Sequence, residues 1–340
     1  MNADSFAIIG ENIHCTRIVK SGGTRTEKLS QGGEAVSFTQ AGESLLLPVP
    51  ENWEEVSPQY GEGKIRHIAL AIYQCLNGKT DEERSLGEKY LCWAAERQIN
   101  EGANYLDVNV DEYTNDLKER NEIMAWLVGF LSERYETPLS IDSSNASTIE
   151  TGLQRCRKDP LPMVNSVSLE REDAVDPVIE FNTAAVVSAA AKTGLPNSTE
   201  ERLANFDGIM KTLEAKGMKR EKMYLDPLVL PISVDPSNGK KFFDSTAAVR
   251  ERYEGVHITG GLSNISYGMP NRKLLNMVFV RLFVDAGGDG GIIDPVQMPA
   301  ADIAALDKES DAFKFAGAVL DGTDMFGGEY IAAFREGRLQ

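Results

Sequence analysis

Short apolar runs that end in a carboxylate or a carboxamide recur along this chain, and each leads into a stretch with helical spacing. Tyr105-Leu106 runs into Asp107 and Asn109, and Leu139 to Ile141 into Asp142. Met163-Val164 runs into Asn165, Met223 to Leu225 into Asp226, and His257 to Leu262 reaches Asn264 through Ser263. Short apolar runs bounded by breakers read as buried strands. Strands that alternate with helical patterns read as βαβ units and a parallel sheet. With Ser5 to Ile9, Ala184 to Ala189 and Gly291 to Ile293, the run at 105–110 and the four just described, the chain offers eight strands. Eight is the number of a (β/α)8 TIM barrel, in which the carboxyl ends of the strands meet at one mouth and active sites are built there.

Helices are expected at about 65–76, 81–101, 118–135, 146–156, 173–181, 199–216, 245–252 and 273–285. Ser198 followed by Glu200 and Glu201 is an N-cap with acidic first-turn residues. A doubly wound open sheet would need a glycine-rich phosphate turn after the first strand. Gly10-Glu11-Asn12-Ile13-His14 is not one, and the Gly287 to Gly291 cluster precedes a strand, as a tight helix-to-strand turn does. With 340 residues, of which 42% are hydrophobic, the chain can bury a large core. We read residues 1–340 as a single barrel with a long insertion after the first strand, at 16–62. That stretch looks irregular: it is rich in Gly, Ser, Thr and Glu, and loops of this length are usually lids, binding loops or small subdomains.

Charge narrows the partners. Asp and Glu number 52 against 35 Lys and Arg, a formal net charge of −17. Nucleic-acid affinity comes largely from basic contacts, and an anionic membrane surface attracts basic segments, so neither is an expected partner. Met1-Asn2-Ala3-Asp4 is polar and no apolar run is long enough to span a bilayer. Cys15, Cys75, Cys92 and Cys156 are scattered and form no CxxC, which fits a reducing, cytoplasmic setting without a cysteine zinc site.

Asp142, Asn165, Asp226 and Asn264 form the sharpest constellation. Carboxylates and carboxamides can hold a heterocycle by its ring N–H, amino and carbonyl edges, and a carboxylate can accept from an amino group and a ring N–H together. Any one of them could instead cap the following helix; four at strand ends argue for a site. His14 and Cys15 adjoin a strand end, but two adjacent residues do not make a metal site, and no metal is expected.

At these positions the chain resembles the methyltetrahydrofolate:corrinoid methyltransferases, pterin-binding barrels related to the folate domain of cobalamin-dependent methionine synthase. The likeness is carried by Ile8-Ile9-Gly10-Glu11-Asn12-Ile13, Leu106-Asp107-Val108-Asn109-Val110, Ile141-Asp142-Ser143-Ser144-Asn145, Val164-Asn165-Ser166, Lys192-Thr193-Gly194-Leu195-Pro196, Leu225-Asp226-Pro227-Leu228 and Gly261-Leu262-Ser263-Asn264-Ile265-Ser266. It covers the first strand and about 87–286. The resemblance implies Asp142, Asn165 and Asp226 as ligands of the pterin ring. It implies Asn264 beside the methyl-bearing nitrogen, Asp107 and Asn109 on the floor of the site, and Glu11 as a first-strand acid. Arg272 either reaches a substrate glutamate tail or caps a helix. Ala191 stands where the pattern has Asn, and Tyr267 where it has Gln.

The function so implied is movement of a methyl group between tetrahydrofolate and a corrinoid (cobalamin) cofactor. No segment looks like a cobalamin-binding module, so the corrinoid is expected on a partner protein, and the enzyme as a cytoplasmic homodimer. Catalysis would fall to Asn264, with the proton from water or from a network that includes Asp107. A dihydropteroate synthase-like condensation is the first alternative, although the Asn-rich first loop and late Ser-x-Lys of that pattern are not visible. A non-catalytic folate-binding subunit of a methyl-transfer complex is the second. The segment at 16–62 would be a lid or docking element at the mouth, or an edge decoration.

Overall fold

The computed structural model describes residues 6–30 and 32–339. Its strands are β1 (Ala7–His14), β2 (Ile18–Lys20), β3 (Thr26–Lys28), β4 (Glu34–Gln40), β5 (Glu43–Pro48), β6 (Lys64–Arg66), β7 (Tyr105–Asn109), β8 (Leu139–Asp142), β9 (Met163–Val167), β10 (Ala184–Ser188), β11 (Met223–Asp226), β12 (His257–Ile258) and β13 (Gly290–Ile293). Eight of them form one sheet in the order β12-β11-β10-β9-β8-β7-β1-β13. Recorded pairings are parallel, including Ala7 with Gly290 and Ser188 with Asp226. The two strands at the ends of that order also meet. The Ile292 amide donates to the Gly260 carbonyl at 2.9 Å, the Asp289 amide donates to Ile258 at 3.2 Å, and Gly261 bridges Ile292 in parallel. The sheet therefore closes on itself, as the expected (β/α)8 barrel requires.

By contact density the chain divides into two units. One holds the described residues up to Gly10, Glu101–Tyr105 and everything from Leu161 on; the other holds Glu11–Asn100 and Leu106–Pro160. In the first, Ile9, Met163, Ala184, Val186, Tyr224 and Ile292 form a buried cluster, with Ala7, Tyr105 and Leu161 packed against it. These are alternate residues of their strands, so each strand turns one face to this cluster. Helices Thr199–Ala215, Asn238–Arg252, Arg272–Asp285 and Asp311–Asp321 cover the outside, burying Phe206, Phe242, Phe279, Phe283 and Leu320.

In the second unit, helices His67–Asn77 and Asp81–Asn100 pack on one another. The segment at 16–62 corrects the expectation of irregularity. Its β3, β4 and β5 make an antiparallel meander, with Ala41 and Gly42 at positive φ in a two-residue turn between β4 and β5. Its ends are gathered by the antiparallel pair β2 and β6. Phe38 lies edge-on to Tyr90 (centroids 4.9 Å) and tilted against Trp93 (5.8 Å), while Arg25 donates to the Tyr90 hydroxyl and lies over Trp93. Val36, Leu47 and Trp53 are fully buried. Polar residues and glycines hid this order, because the apolar side chains of a small meander need only one face.

Other boundaries moved as well. β1 runs on through His14, so Glu11, Asn12 and His14 are strand residues and not loop residues. β12 stops at Ile258, because Gly260 and Gly261 lead into a 3-10 turn at Leu262–Ser266. Helix Asn238–Arg252 starts seven residues before the expected position, with Asn238 Nδ2 donating to the Pro231 carbonyl at 2.9 Å.

The meander's packing sets a stability test. Removing the Phe38 ring should cost about 3 kcal/mol, as large-to-small core changes do. Ile18→Ala, at a side chain 49% exposed, should change little. Urea midpoints of the two variants report this; a Phe38→Ala midpoint no lower than that of Ile18→Ala would show that the meander is not packed on the helix.

Candidate functional site

The alternation that turns Ile9, Tyr105, Met163, Val186, Tyr224 and Ile292 to the cluster carries a polar residue two places further along the chain in each case. These residues are Glu11, Asp107, Asn165, Ser188, Asp226 and Asp294. With a period of two they occupy the same face of their own strand, nearer its carboxyl end. This is the chemistry-bearing register of the sheet.

In the first unit Asp226 ends β11 and is 9% exposed. It accepts from the Leu228 amide at 2.8 Å. Burial pushes its carboxyl up to about 6, although the Leu228 hydrogen bond and the Arg202 charge pull the other way. Arg202 is buried, donates through Nε to the Pro227 carbonyl at 2.6 Å, and leaves Nη1 without a partner among the described residues. A Cβ on Gly260 would meet Asp226 Oδ1 at 3.2 Å, and one on Gly261 would meet Asn264 Nδ2 at 2.9 Å. The glycine pair is therefore what lets both side chains lie against the backbone here. Asn264 itself is exposed on its 3-10 turn. Arg272 donates through Nη2 to the Ser263 carbonyl at 2.9 Å and through Nε to Ser266 Oγ at 3.0 Å, so it braces that turn on both sides of Asn264. Asn165 is half-buried on β9, opposite an irregularity in the β10 register.

The second unit holds the other carboxylates. Asp107 is fully buried, and its Oδ2 lies 2.8 Å from His14 Nε2. Asp142 Oδ2 lies 3.9 Å from the same nitrogen. Burial, and then the Asp107 charge, push the Asp142 carboxyl up to about 7 against the pull of His14 and the Asn109 side chain. Burial lowers the affinity of His14 for a proton, but the hydrogen bond to Asp107 and the charges of both acids outweigh it, so its pKa is raised. The three donor atoms lie within 4.8 Å of one another. His14 Nε2 and Asp107 Oδ2 share a hydrogen bond, and the same three groups would each offer one ligand atom to a cation. Glu11 pairs with Arg17 Nη2 at 2.7 Å, and Asn109 Oδ1 accepts from the Asp111 amide at 3.0 Å.

The capping explanation fails for the key residues. The helices after β7, β8 and β10 are capped by Asp116, Asn145 and Ser198, not by Asp107, Asp142 or Ser188. Asp294 does behave as a turn residue, accepting from the amides of Val296 and Gln297. Sequence reasoning missed two residues. Arg202, within Glu-Glu-Arg-Leu, reads as a surface helix residue, and His14 was weighed only as a metal ligand. No local signal pointed to His14, because β1 continues five residues past the expected strand end at Ile9.

Comparison with known proteins gives a family. The model of the family described as pterin binding enzyme matches residues 79–294. A methylcorrinoid:tetrahydrofolate methyltransferase of Eubacterium limosum is 29% identical over 285 residues, covering 79% of this chain and 97% of that protein. A methionine synthase of Mycobacterium leprae (strain TN) is 27% identical over 220 residues, 58% of this chain and 17% of that protein. Among solved structures, a Xanthomonas albilineans dihydropteroate synthase in complex with indole-2-carboxylic acid and 6-chloroguanine superposes with a TM-score of 0.51 at 15% identity, covering 79% of this chain and 96% of that one. At that identity the likeness is one of fold.

The Asp226 site has a measurable cost. A carboxyl whose folded pKa lies above its unfolded value suits the folded state only while protonated, so ionising it destabilises the fold as pH rises from about 4 through about 6. Asp226→Asn removes the ionisation. Its unfolding free energy relative to wild type should therefore move in the variant's favour by roughly 2–3 kcal/mol between pH 4 and pH 7, at about 1.4 kcal/mol per unit. Denaturant unfolding at the two pH values measures it, and a difference independent of pH would mean that the ionised carboxylate is not strained.

Proposed function

Because this chain belongs to the pterin binding enzyme family, we propose that it moves a methyl group between tetrahydrofolate and a corrinoid carried by a partner protein. The observation that carries the reading is the pair of strand-end carboxylates, Asp226 and Asp142, held in surroundings that raise their proton affinity and excused from helix capping. A carboxylate that is costly alone gains most from a ligand that brings its own N–H donors. A pterin offers a ring N–H beside an amino group. We assign Asp142, Asn165 and Asp226 to the pterin ring, with Glu11 and Asn109 as flanking polar groups. The relative from Eubacterium limosum, matched over nearly its whole length, supports the methyl chemistry over a dihydropteroate synthase-like condensation. It also weighs against a folate-binding subunit without catalysis.

A tertiary amine leaves poorly unless its nitrogen gains a proton, so the useful hydrogen bonds are those that strengthen as charge shifts. We assign this role to Asn264, whose amide can donate or accept. The Arg272 brace on Ser263 and Ser266 and the space at Gly261 support it, because they fix where the amide sits. Arg272 thereby acts on the substrate site through the turn. Asp107, with no solvent exposure, serves from beneath and not as a ligand. We read residues 16–62, which leave the carboxyl end of β1, as the insertion on which the corrinoid protein docks. Among the described residues no helix is long and apolar enough to cross a membrane. The four cysteines are free, which supports a reducing, cytoplasmic setting, and exposed Met325, Phe326 and Phe334 supply a surface for a homodimer.

Two substitutions separate binding from chemistry. Asp226→Ala should weaken methyltetrahydrofolate binding by ~1–3 kcal/mol, through donors left unpaired on the ligand; calorimetric titration reads this. Gly261→Ala pushes on the mobile end of Asn264 and not on backbone, so the fold should stand. Methyl transfer to a reduced corrinoid protein at saturating folate should then fall about tenfold, with folate affinity changed far less. Wild-type affinity in the first variant would remove Asp226 from the ring site, and wild-type turnover in the second would remove Asn264 from the chemistry.

A further inference from the structure

The Pro227–Leu228 peptide, just past β11, is held at both of its polar groups. Its N–H donates to Asp226 Oδ1 at 2.8 Å, and its carbonyl accepts from Arg202 Nε at 2.6 Å. A peptide unit is planar, with C=O and N–H on opposite edges, so the two bonds fix the plane from both sides. The residue after that bond, Leu228, has φ 72°. Side chains other than glycine rarely adopt this left-handed conformation, and it persists where the surroundings dictate it. Asp226 is tied down by Oδ1, while its Oδ2 has no partner among the described residues. Helix Thr199–Ala215 is the frame for this hold. Arg202 and Asn205, three residues apart and so on one side of the helix, reach two neighbouring strand ends. Asn205 Nδ2 donates to the Ala189 carbonyl at 2.8 Å, and the Ala189 amide donates to the Asp226 carbonyl at 3.0 Å. The helix start is seated by the Ser198 cap, which accepts from the Glu201 amide, and by Thr199 Oγ1, 2.9 Å from Ser245 Oγ. Arg202 is buried with Nη1 unpartnered. Burying a guanidinium in that state is costly, and a methionine would fill much of the same space without the charge.

We propose that Arg202 is a positioning residue of the pterin site, acting through the Pro227–Leu228 peptide to hold the Asp226 carboxylate in place for the ligand's N–H donors. This rests on the proposed function and deepens it. A carbonyl that accepts from a cation polarises its peptide and makes the N–H on the far edge a stronger donor. That N–H is the one bonded to Asp226, so the cation favours the carboxylate both through the peptide and by its field. Because Arg202 bonds to the Pro227 carbonyl and not to the carboxyl, Oδ2 stays open for the ligand. A direct ion pair would occupy the oxygens that the ligand's donors need. The surroundings leave this task to Arg202. Its charge is the one that reaches Asp226, and the charges that reach Arg202 are those of Asp226 and Glu201. On β10 the residue beside Asp226 is Ser188, and around Oδ1 lie Gly260, Val229 and Phe242, none of them charged. Without the cation, burial is opposed only by the Leu228 bond, so the carboxyl would keep its proton to higher pH.

The test compares Arg202→Met, which removes charge and donor, with Arg202→Lys, which keeps the charge, in the whole chain. Calorimetric titration with methyltetrahydrofolate gives the dissociation constant of each variant relative to wild type, a ratio in which the ligand's own titration cancels. For Arg202→Met the ratio should be about tenfold near pH 6, the loss expected when a charged group's hydrogen bonding is disturbed, and should decline as pH rises toward about 9. Arg202→Lys should bring it back to within about threefold. The rate of methyl transfer to a reduced corrinoid protein at saturating folate should stay within about threefold of wild type in both, because the hold serves ground state and transition state alike. A second readout needs no folate. In the free protein a carbon-13 carboxyl titration, with Asp226 identified by its loss in Asp226→Asn, should place the Asp226 carboxyl higher in Arg202→Met than in wild type. Arg202→Gln serves in both measurements if the methionine variant does not fold. A ratio that is the same at every pH would show a merely structural role and overturn the proposal. An Asp226 titration that does not move would overturn it too, as would a lysine variant no better than the methionine one. Failure of the wild type to bind methyltetrahydrofolate would count against the proposed function instead, and the titration of the free protein would still report on Arg202 and Asp226.

Discussion

The seam where β12 meets β13 is the constraint on which the rest depends. A parallel sheet closes only if its last two edges find each other, and here they do so through the Gly260 carbonyl, the Gly261 bridge and the Asp289 amide. Asp289 locks the seam further, accepting from the Ile258 amide at 2.7 Å and lying 3.0 Å from His257 Nδ1 and 3.1 Å from Arg250 Nη2. The two glycines at this seam are also the ones beside which Asp226 and Asn264 lie. Closure of the fold and shaping of the site are thus one local event. A side chain at Gly260 would crowd Asp226, Val229 and Phe242 together.

The carboxylates show a second conflict between folding and chemistry. Acids are least costly at a fold's water-facing surface, and 52 acidic residues give this one ample choice. Yet Asp107 and Asp226 sit on the buried face of their strands, in the register that elsewhere carries Ile9, Val186 and Tyr224. Local rules are broken most often where a ligand restores the balance. Arg202 fits the same account: its charge lies under Asp226 with one nitrogen unpartnered, so it tempers the acid without neutralising it.

How much of this was legible follows from the range of each signal. Asp142 and Asp226 could be read directly as strand endings, because apolar runs closed by polar residues are local patterns; Asp107 and Asn165 could be placed on the right strands, but each lies in the middle of its strand. The extent of β1 could not, since Glu11, Asn12 and His14 look like a loop until Asn109 accepts from the Cys15 amide across the sheet. Asn238-Gly239 reads as a breaker, but packing and the bond to Pro231 draw it into a helix. The meander at 16–62 was hidden for a related reason: its order depends on Tyr90 and Trp93, which lie far along the chain in the helix at Asp81–Asn100.

The pairing of β1 with β13 also governs the order of events during synthesis. Ala7 finds its partner only when Gly290 has left the ribosome, so β1 waits through the synthesis of the residues between them with one edge unsatisfied. Exposed strand edges are templates for aggregation, and pairings distant in sequence form slowly. The ribbon of β2 with β6 and the meander between them need only neighbours in sequence and the two helices that follow. They can settle early, and they begin directly after β1. A segment that contributes no strand to the ring can thus be ordered before the ring has its last member.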